Sequence, residues 1–196
     1  MPDKARGAPV PVPDWASAFV LTASDRSAAG DRPDTAGRQV ADRLHVLGFG
    51  RVEVRIVPDD RPIIEMALRD AAAEHALIVT TGGTGLTPRD VTPQATRAVI
   101  DHEVPGLAEA MRAEGRRHTP MADLSRGIAG VVGRSLVVNL PGSPRAALES
   151  LAAIETVLAH AIETLAGPYD HDTRPIRHDR GDTHDARVDR DLEAGH

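Results

Sequence analysis

Four aspartates stand beside loops rich in bare backbone: Asp25 in LTASDRS, the pair Asp59-Asp60 in VPDDRP, and Asp90 near the end of VTTGGTGLTPRDVTP. That last stretch, residues 79 to 93, packs three glycines and five threonines into its length. Glycines let backbone N–H groups approach an anion without a Cβ in the way, and hydroxyls beside them add donors. Gly82, Gly83 and Gly85 with Thr80, Thr81, Thr84 and Thr87 therefore read as a cradle for phosphate or another oxyanion. It is not a Walker loop, because the Gly-Lys-Ser/Thr ending is absent. A carboxylate is a poor direct phosphate ligand, so Asp90 beside such a cradle makes sense with a divalent metal between them.

Each of these residues also has a plainer reading. The glycines can serve a tight turn from strand to helix. Thr92 can cap the next helix with Pro93 at its first position, and Asp90 can cap it instead. Asp59 and Asp60 can hold magnesium or start the helix at Arg61-Pro62, and taken alone the capping role is favoured. Ser24, Asp25 and Asp34 in SDRSAAGDRPDTAG divide in the same way between turn formers and ligand contacts. In NLPGSPRA, Gly142 and the Ser143 hydroxyl can receive a second anionic group, or form a Pro-Gly turn feeding a helix.

These loops need a frame that gathers them. SAFVLTAS (17 to 24) reads as a strand, followed by a helical pattern from Thr35 to Leu47 that Gly48 ends. RVEVRIVP (51 to 58) alternates as a strand does, and RPIIEMALRDAAAEH (61 to 75) places Ile64, Leu68, Ala71 and Ala72 on one helical face. ALIVTT (76 to 81) is a third strand. Helices are expected from about Thr92 to Ile100 and from Gly106 to Glu114, then a strand pair turning at Gly133-Arg134, then a helix from Ser143 to Leu165. Alternating strands and helices predict an α/β three-layer sandwich with a mostly parallel central sheet. Right-handed crossovers then bring the loops after strands to one edge, where open sheets bind ligands.

The chain has 196 residues, enough for one domain with a sizeable core, and only four aromatic residues, so small aliphatics must fill that core. Residues 1 to 14 carry four prolines and read as an extended arm; residues 170 to 196 alternate Asp, Arg and His and read as disordered. The folded domain is expected over 15 to 169. With no cysteine, thiolate chemistry, disulfides and cysteine-based zinc sites are excluded. His102 and His118 read as surface residues, and the tail histidines lack the fixed spacing of a metal site. A formal charge of -6 and a single lysine argue against a nucleic-acid surface. No signal-peptide run and no 18-residue apolar stretch is present, so no membrane association and a cytoplasmic setting are expected.

In order, SDR, the Asp34-x-x-Gly37 pattern, PDD, TTGGTG-x-x-PRDVTP-x-AT, EVPG and LPGSP resemble the MogA/MoaB family of molybdenum cofactor biosynthesis proteins, also found as the G domain of gephyrin. The resemblance covers about residues 17 to 169, and TTGGTG-x-x-PRDVTP is its most specific part. It implies a homotrimer that binds molybdopterin and uses magnesium and ATP to adenylylate the pterin's terminal phosphate, releasing pyrophosphate. It also implies a possible downstream partner, a molybdate-inserting protein of the same pathway. The family's two catalytic aspartates fall on Asp59 and Asp90, expected to position magnesium and align the phosphate. Thr81, Gly82, Gly83, Thr84 and Gly85 are implied to line the nucleotide and phosphate pocket, with Ser24 and Asp25 nearby and Gly142 and Ser143 on its other side. The alternative is a non-catalytic molybdopterin-binding or assembly protein of the same fold. The chain departs from the family at Arg32-Pro33-Asp34 and at Ala36, which bears on substrate contacts in that loop.

Overall fold

The computed structural model describes residues 11 to 167; the expectation for the tail from 170 onward lies outside the described residues, as does most of that for the N-terminal arm. Six strands form one sheet: β1 (Ser17–Ala23), β2 (Arg51–Val57), β3 (Leu77–Thr81), β4 (His102–Glu103), β5 (Ala129–Val132) and β6 (Ser135–Leu140), in the order β2-β1-β3-β6-β5-β4. The first four in that order run parallel, with Val20 opposite both Val54 and Val79, and Val79 opposite Val138. β5 and β4 are antiparallel, β5 joined to β6 by a tight turn at Gly133 with φ 56°.

Helices cover both faces, because the central strands are apolar on both sides. β1 sends Ala18 and Val20 to one face and Phe19 and Leu21 to the other. On the first face pack α2 (Thr35–Val46), α5 (Pro105–Arg116) and α6 (Pro144–Ala166), through residues such as Leu44, Met111 and Ile154. On the second pack α3 (Arg61–Ala72), through Ile64 and Leu68, and α4 (Thr92–Arg97), through Ala95. Each fully buried Leu, Ile or Phe contributes about 1.5–3 kcal/mol by leaving water. A one-turn helix α1 (Asp25–Ala28) follows β1, and a 3-10 turn spans Pro120–Leu124.

The three-layer α/β architecture is the one expected, with local differences. Val12, within the stretch read as an extended arm, packs against the core, while Trp15 is exposed. The helix expected from Thr92 to Ile100 stops at Arg97, where the chain turns to feed the two-residue β4. No helix among the described residues is long and apolar enough to cross a membrane.

Candidate active site at the carboxyl edge of the sheet

β1 and β3 are neighbours whose onward connections leave in opposite directions, first to β2 and later to β6. The crevice above such a reversal is where parallel sheets bind ligands. Here the loops after β1, β2, β3 and β6 converge.

Two of the loops are tied by their aspartates. The Asp25 amide donates to Asp59 Oδ2 at 3.0 Å, and the Asp59 amide returns the bond to Asp25 Oδ1 at 3.0 Å. Arg89, from the glycine loop, closes a third side: its Nε and Nη2 reach the Asp25 carboxylate at 3.0 and 2.6 Å, a forked charge-assisted pair. That guanidinium and the Asp59 amide hold Asp25 below the usual carboxylate range. Asp59 moves the opposite way, raised by burial foremost and also by the like charges of Asp25 and Asp90. The adjacent Asp60 points elsewhere, accepting from the Ile63 amide at 3.1 Å as the N-cap of α3. Of these two adjacent carboxylates, Asp59 is thus the one that faces Asp25 and the glycine loop.

Asp90 does not cap α4, and neither does Thr92: the N-cap is Val91, without a side-chain bond, and Thr92 is the first helical residue. Asp90 Oδ2 instead accepts from the Thr87 amide at 2.8 Å and the Thr87 hydroxyl at 2.7 Å, closing the loop on itself. Burial pushes the Asp90 carboxyl up, but the bonds from Thr87 and the Gly85 amide, with the Arg126 charge, hold it below its ordinary value. Arg126 is a second brace. Its backbone amide donates to Thr84 O at 3.0 Å, its Nε to Gly85 O at 2.6 Å, and its Nη2 to Asp90 O.

The glycines make room for other parts of the protein. At φ 90°, a Cβ on Gly82 would lie 2.4 Å from the Ala23 carbonyl oxygen, so β1 and the glycine loop pack backbone to backbone. A Cβ on Gly142 would lie 3.1 Å from Gly82 Cα, which brings in the loop after β6. One on Gly85 would stand 3.0 Å from the Asp90 carboxylate.

Beneath the loops lies a buried polar chain. Thr22 Oγ1 donates to Asp34 Oδ2 at 2.8 Å; having only one hydrogen, it must accept from the Thr81 hydroxyl 3.0 Å away. Asp34 Oδ1 also caps α2 by accepting from the Gly37 amide at 2.8 Å, so one carboxylate fixes both a helix start and the direction of the Thr81 proton. Asn139 of β6 donates to Thr80 and Thr96 at 3.0 and 2.9 Å, linking β3, β6 and α4.

Two cavities flank the glycine loop. One of about 330 Å³ is lined by Ser24, Asp34, Thr81, Gly82, Gly142 and Ser143 and is the more polar of the two. The other, of about 280 Å³, is walled by Met111, Met121, Leu124 and Ala108, with Thr84 and Gly85 at the loop side and Glu149 opposite. Ser24 and Ser143 also serve as N-caps, accepting from the Ser27 and Ala146 amides at 3.2 Å each. Their single hydroxyl protons stay free to donate.

A divalent cation suits this donor set. Asp59 carries a carboxyl whose charge is disfavoured by burial and by two neighbouring carboxylates, and added positive charge relieves that. Among the described residues no three His, Asp or Glu side chains converge into a protein-only cage. An ion such as magnesium, which commonly takes one or two carboxylates and completes its shell from phosphates and water, matches that arrangement.

The residues that the resemblance assigns to the site lie on this edge: Asp25, Asp59 and Asp90 around the loop junction, Thr81, Gly82, Gly142, Ser143 and Ser24 at the more polar cavity, Thr84 and Gly85 at the apolar one, and Gly83 beside Asp59 and Thr92. Sequence reasoning missed Arg126, which sits in no motif, and the Thr22-Asp34-Thr81 chain. The one available signal was Asp34 three residues before Gly37, read only as a possible turn or contact.

Fold and site together define an α/β protein with a candidate ligand crevice at the switch point of a mostly parallel sheet. Residues 19 to 160 match the family model described as a probable molybdopterin binding domain. The chain is 38% identical over 154 residues to a molybdopterin adenylyltransferase of Helicobacter pylori, covering 76% of this chain and 88% of that one. Against the enzyme of the same name from Escherichia coli it is 39% identical over 132 residues, covering 60% and 68%. Among solved structures, the molybdopterin biosynthesis enzyme MoaB from Thermus thermophilus superposes with a TM-score of 0.71 at 50% identity, over 78% of this chain and 97% of that one. The chain belongs to the MogA/MoaB family of molybdenum cofactor biosynthesis proteins.

Proposed function

We propose that this chain is a molybdopterin adenylyltransferase, joining the terminal phosphate of molybdopterin to the adenylyl group of ATP. A phosphate oxygen of the pterin attacks the α-phosphorus of ATP; the new P–O bond forms as the bond to the β-phosphate breaks, and pyrophosphate leaves. Such a reaction asks a protein for alignment and charge stabilisation more than for a strong base. The observation that carries this reading is the placing of Asp59 and Asp90 against glycines of one loop, Asp59 beside Gly83 and Asp90 beside Gly85, with the charge of Asp59 disfavoured by burial and by the neighbouring carboxylates. The names of the relatives, molybdopterin adenylyltransferases, support it. Magnesium would be held by Asp59 and Asp90 and would supply neutralisation of phosphate charge. The polar cavity with Thr81, Gly82, Gly142 and Ser143 and the apolar one beyond Thr84 and Gly85 give two seats for the organic parts of the substrates.

The test is the reaction itself, with purified protein, molybdopterin, ATP and magnesium, reading adenylyl-molybdopterin and pyrophosphate. Asp90→Asn keeps an oxygen for the Thr87 bonds but removes the charge, so it should cut turnover about 10²–10³-fold while pterin binding survives. Normal turnover by that variant would remove Asp90 from the metal role. A protein that takes up pterin but shows no magnesium-dependent ATP binding by calorimetry would instead be a non-catalytic binder. We further infer a homotrimer, supported by exposed apolar side chains on the edge strand β2 and on α3, namely Val54, Ile56 and Met66. Light scattering would read its mass.

A further inference from the structure

Every hydrogen bond that Arg126 donates to a described residue ends on a carbonyl of the glycine loop: its backbone amide on Thr84 O at 3.0 Å, its Nε on Gly85 O at 2.6 Å, and its Nη2 on Asp90 O. In a trans peptide the carbonyl and the N–H that follows it point in opposite directions. With Thr84 O turned to Arg126, the Gly85 amide is turned away from it. On that far side stands the Asp90 carboxylate. The Gly85 amide donates to it, a Cβ on Gly85 would lie 3.0 Å from its Oδ2, and the Thr87 amide and hydroxyl reach Oδ2 at 2.8 and 2.7 Å. Neighbouring amides turned to one side make a concavity for an anion, and here the anion is the loop's own carboxylate. Packing does little to hold this turn, because residues 86 to 89 are exposed and Gly85 has no side chain to restrain its peptide. The planar fork of Arg126 supplies the restraint, since it grips two carbonyls at once.

We propose that Arg126 is a positioning residue for Asp90: by holding the carbonyls of Thr84, Gly85 and Asp90 it keeps the loop amides turned to the Asp90 carboxylate, and so sets where that carboxylate stands. Without the fork the Gly85 peptide is free to rotate, and the carboxylate loses donors that fix it. Arg126 acts on the reaction through Asp90 and needs no contact with substrate to do so. Its neighbours Leu124, Ser125 and Gly127 line the apolar cavity, so the same residue ties a wall of that cavity to the carboxylate. The inference rests on the adenylyltransferase reading for its catalytic consequence only.

A double-mutant cycle in the adenylylation assay tests it. Arg126→Met should lower kcat about tenfold in the otherwise wild-type chain but no more than about twofold in Asp90→Asn, where the charge it positions is already gone. Arg126→Lys, which keeps the charge and loses the fork, should fall between the wild type and Arg126→Met. Losses that multiply in the Asp90→Asn background would overturn the proposal, because Arg126 would then act independently of Asp90, and so would full kcat in Arg126→Met. A second readout needs no substrate. In amide hydrogen exchange on the ligand-free protein, Gly85 and Thr87 should exchange about tenfold faster in Arg126→Met and by an intermediate factor in Arg126→Lys, with the amides of β1 and β6 unchanged. Unchanged exchange at Gly85 and Thr87, or faster exchange across the whole sheet, would remove the specific hold on Asp90. Arg126→Lys carries both measurements should Arg126→Met fail to fold. If the wild type transfers no adenylyl group, the functional reading fails, while the exchange pattern still decides whether Arg126 holds the Asp90 loop.

Discussion

The two ends of the central sheet carry titratable groups perturbed by the same cause and put to different use. At the carboxyl edge the Asp59 carboxyl is raised; at the amino edge, just before β3, the His75 imidazole is lowered, in both cases with burial as the leading cause. Either environment disfavours charge. His75 is walled in: its ring lies 5.5 Å from that of Phe19, its carbonyl accepts from Ser135 at 2.6 Å, and its charged neighbours act in opposite directions, Arg51 against Glu53 and Glu74. Asp59 lies among like charges, with Asp25 and Asp90 near and Arg89 committed to Asp25. A shifted proton affinity is therefore a weak mark of function by itself. What separates the edges is a group of like charges beside open cavities at one end, and a buried ring beside glutamates already paired with Arg51 and Arg55 at the other.

The contrast breaks most sharply at Asp59. If its charge serves a reaction, Asp59→Asn should reduce adenylyl transfer about 10³-fold, measured as kcat/KM. The same change should raise thermal stability at neutral pH. A raised folded pKa means that the group favours folding fully at pH below its unfolded value and loses that contribution as pH rises through the folded one. Asparagine stays neutral throughout, so it escapes the loss. A variant that melted lower and kept its turnover would place Asp59 with His75, as a structural group.

Glycines sharpen the same comparison through geometry. Gly82 at the carboxyl edge and Gly133 at the amino-edge hairpin both have positive φ, at 90° and 56°. A Cβ on Gly133 would meet nothing within 4 Å, whereas one on Gly82 would be driven into the Ala23 carbonyl. Gly82→Ala should cost about 3 kcal/mol, roughly 10 °C in melting temperature, and Gly133→Ala about 1 kcal/mol from φ alone. Equal costs would show that the loop after β3 can move away from β1, and that backbone packing does not hold the site.

What could be read in the sequence follows the same division. The strand and helix pattern was plain because burial on both faces imposes long apolar runs, as in ALIVTT. The candidate site was legible where chemistry is local, in a glycine loop with a nearby aspartate. It was illegible where two roles need the same residue type. Asp59 and Asp60 are identical neighbours, and only the turn of the chain after β2 makes one a cap and turns the other toward Asp25. Arg126 and the Thr22-Asp34-Thr81 chain join positions distant in sequence, through side chains common on any surface. β4 is too short to carry a period, and its pairing with β5 defines it.

The smallest expected effect belongs to the amino edge and tests whether it is as inert as its wiring suggests. Because the folded pKa of His75 lies below the ordinary value, its contribution to stability is present above about pH 6.5 and is lost as pH falls from there through the folded value. Its Nδ1 has no hydrogen-bond partner among the described residues and its Nε2 sits 3.6 Å from Glu53, which compensates the added proton only in part. The wild type should therefore show a melting temperature that declines between about pH 6.5 and pH 5, before most carboxylates titrate. His75→Leu, which keeps an apolar body against Phe19 and cannot take up the proton, should flatten that decline and leave kcat unchanged. A decline that persists in the variant would assign the pH dependence to other groups. A fall in kcat, by contrast, would mean that the amino edge is coupled to the carboxyl edge through β1 and β3, and that the two ends are not separable as their hydrogen bonding indicates.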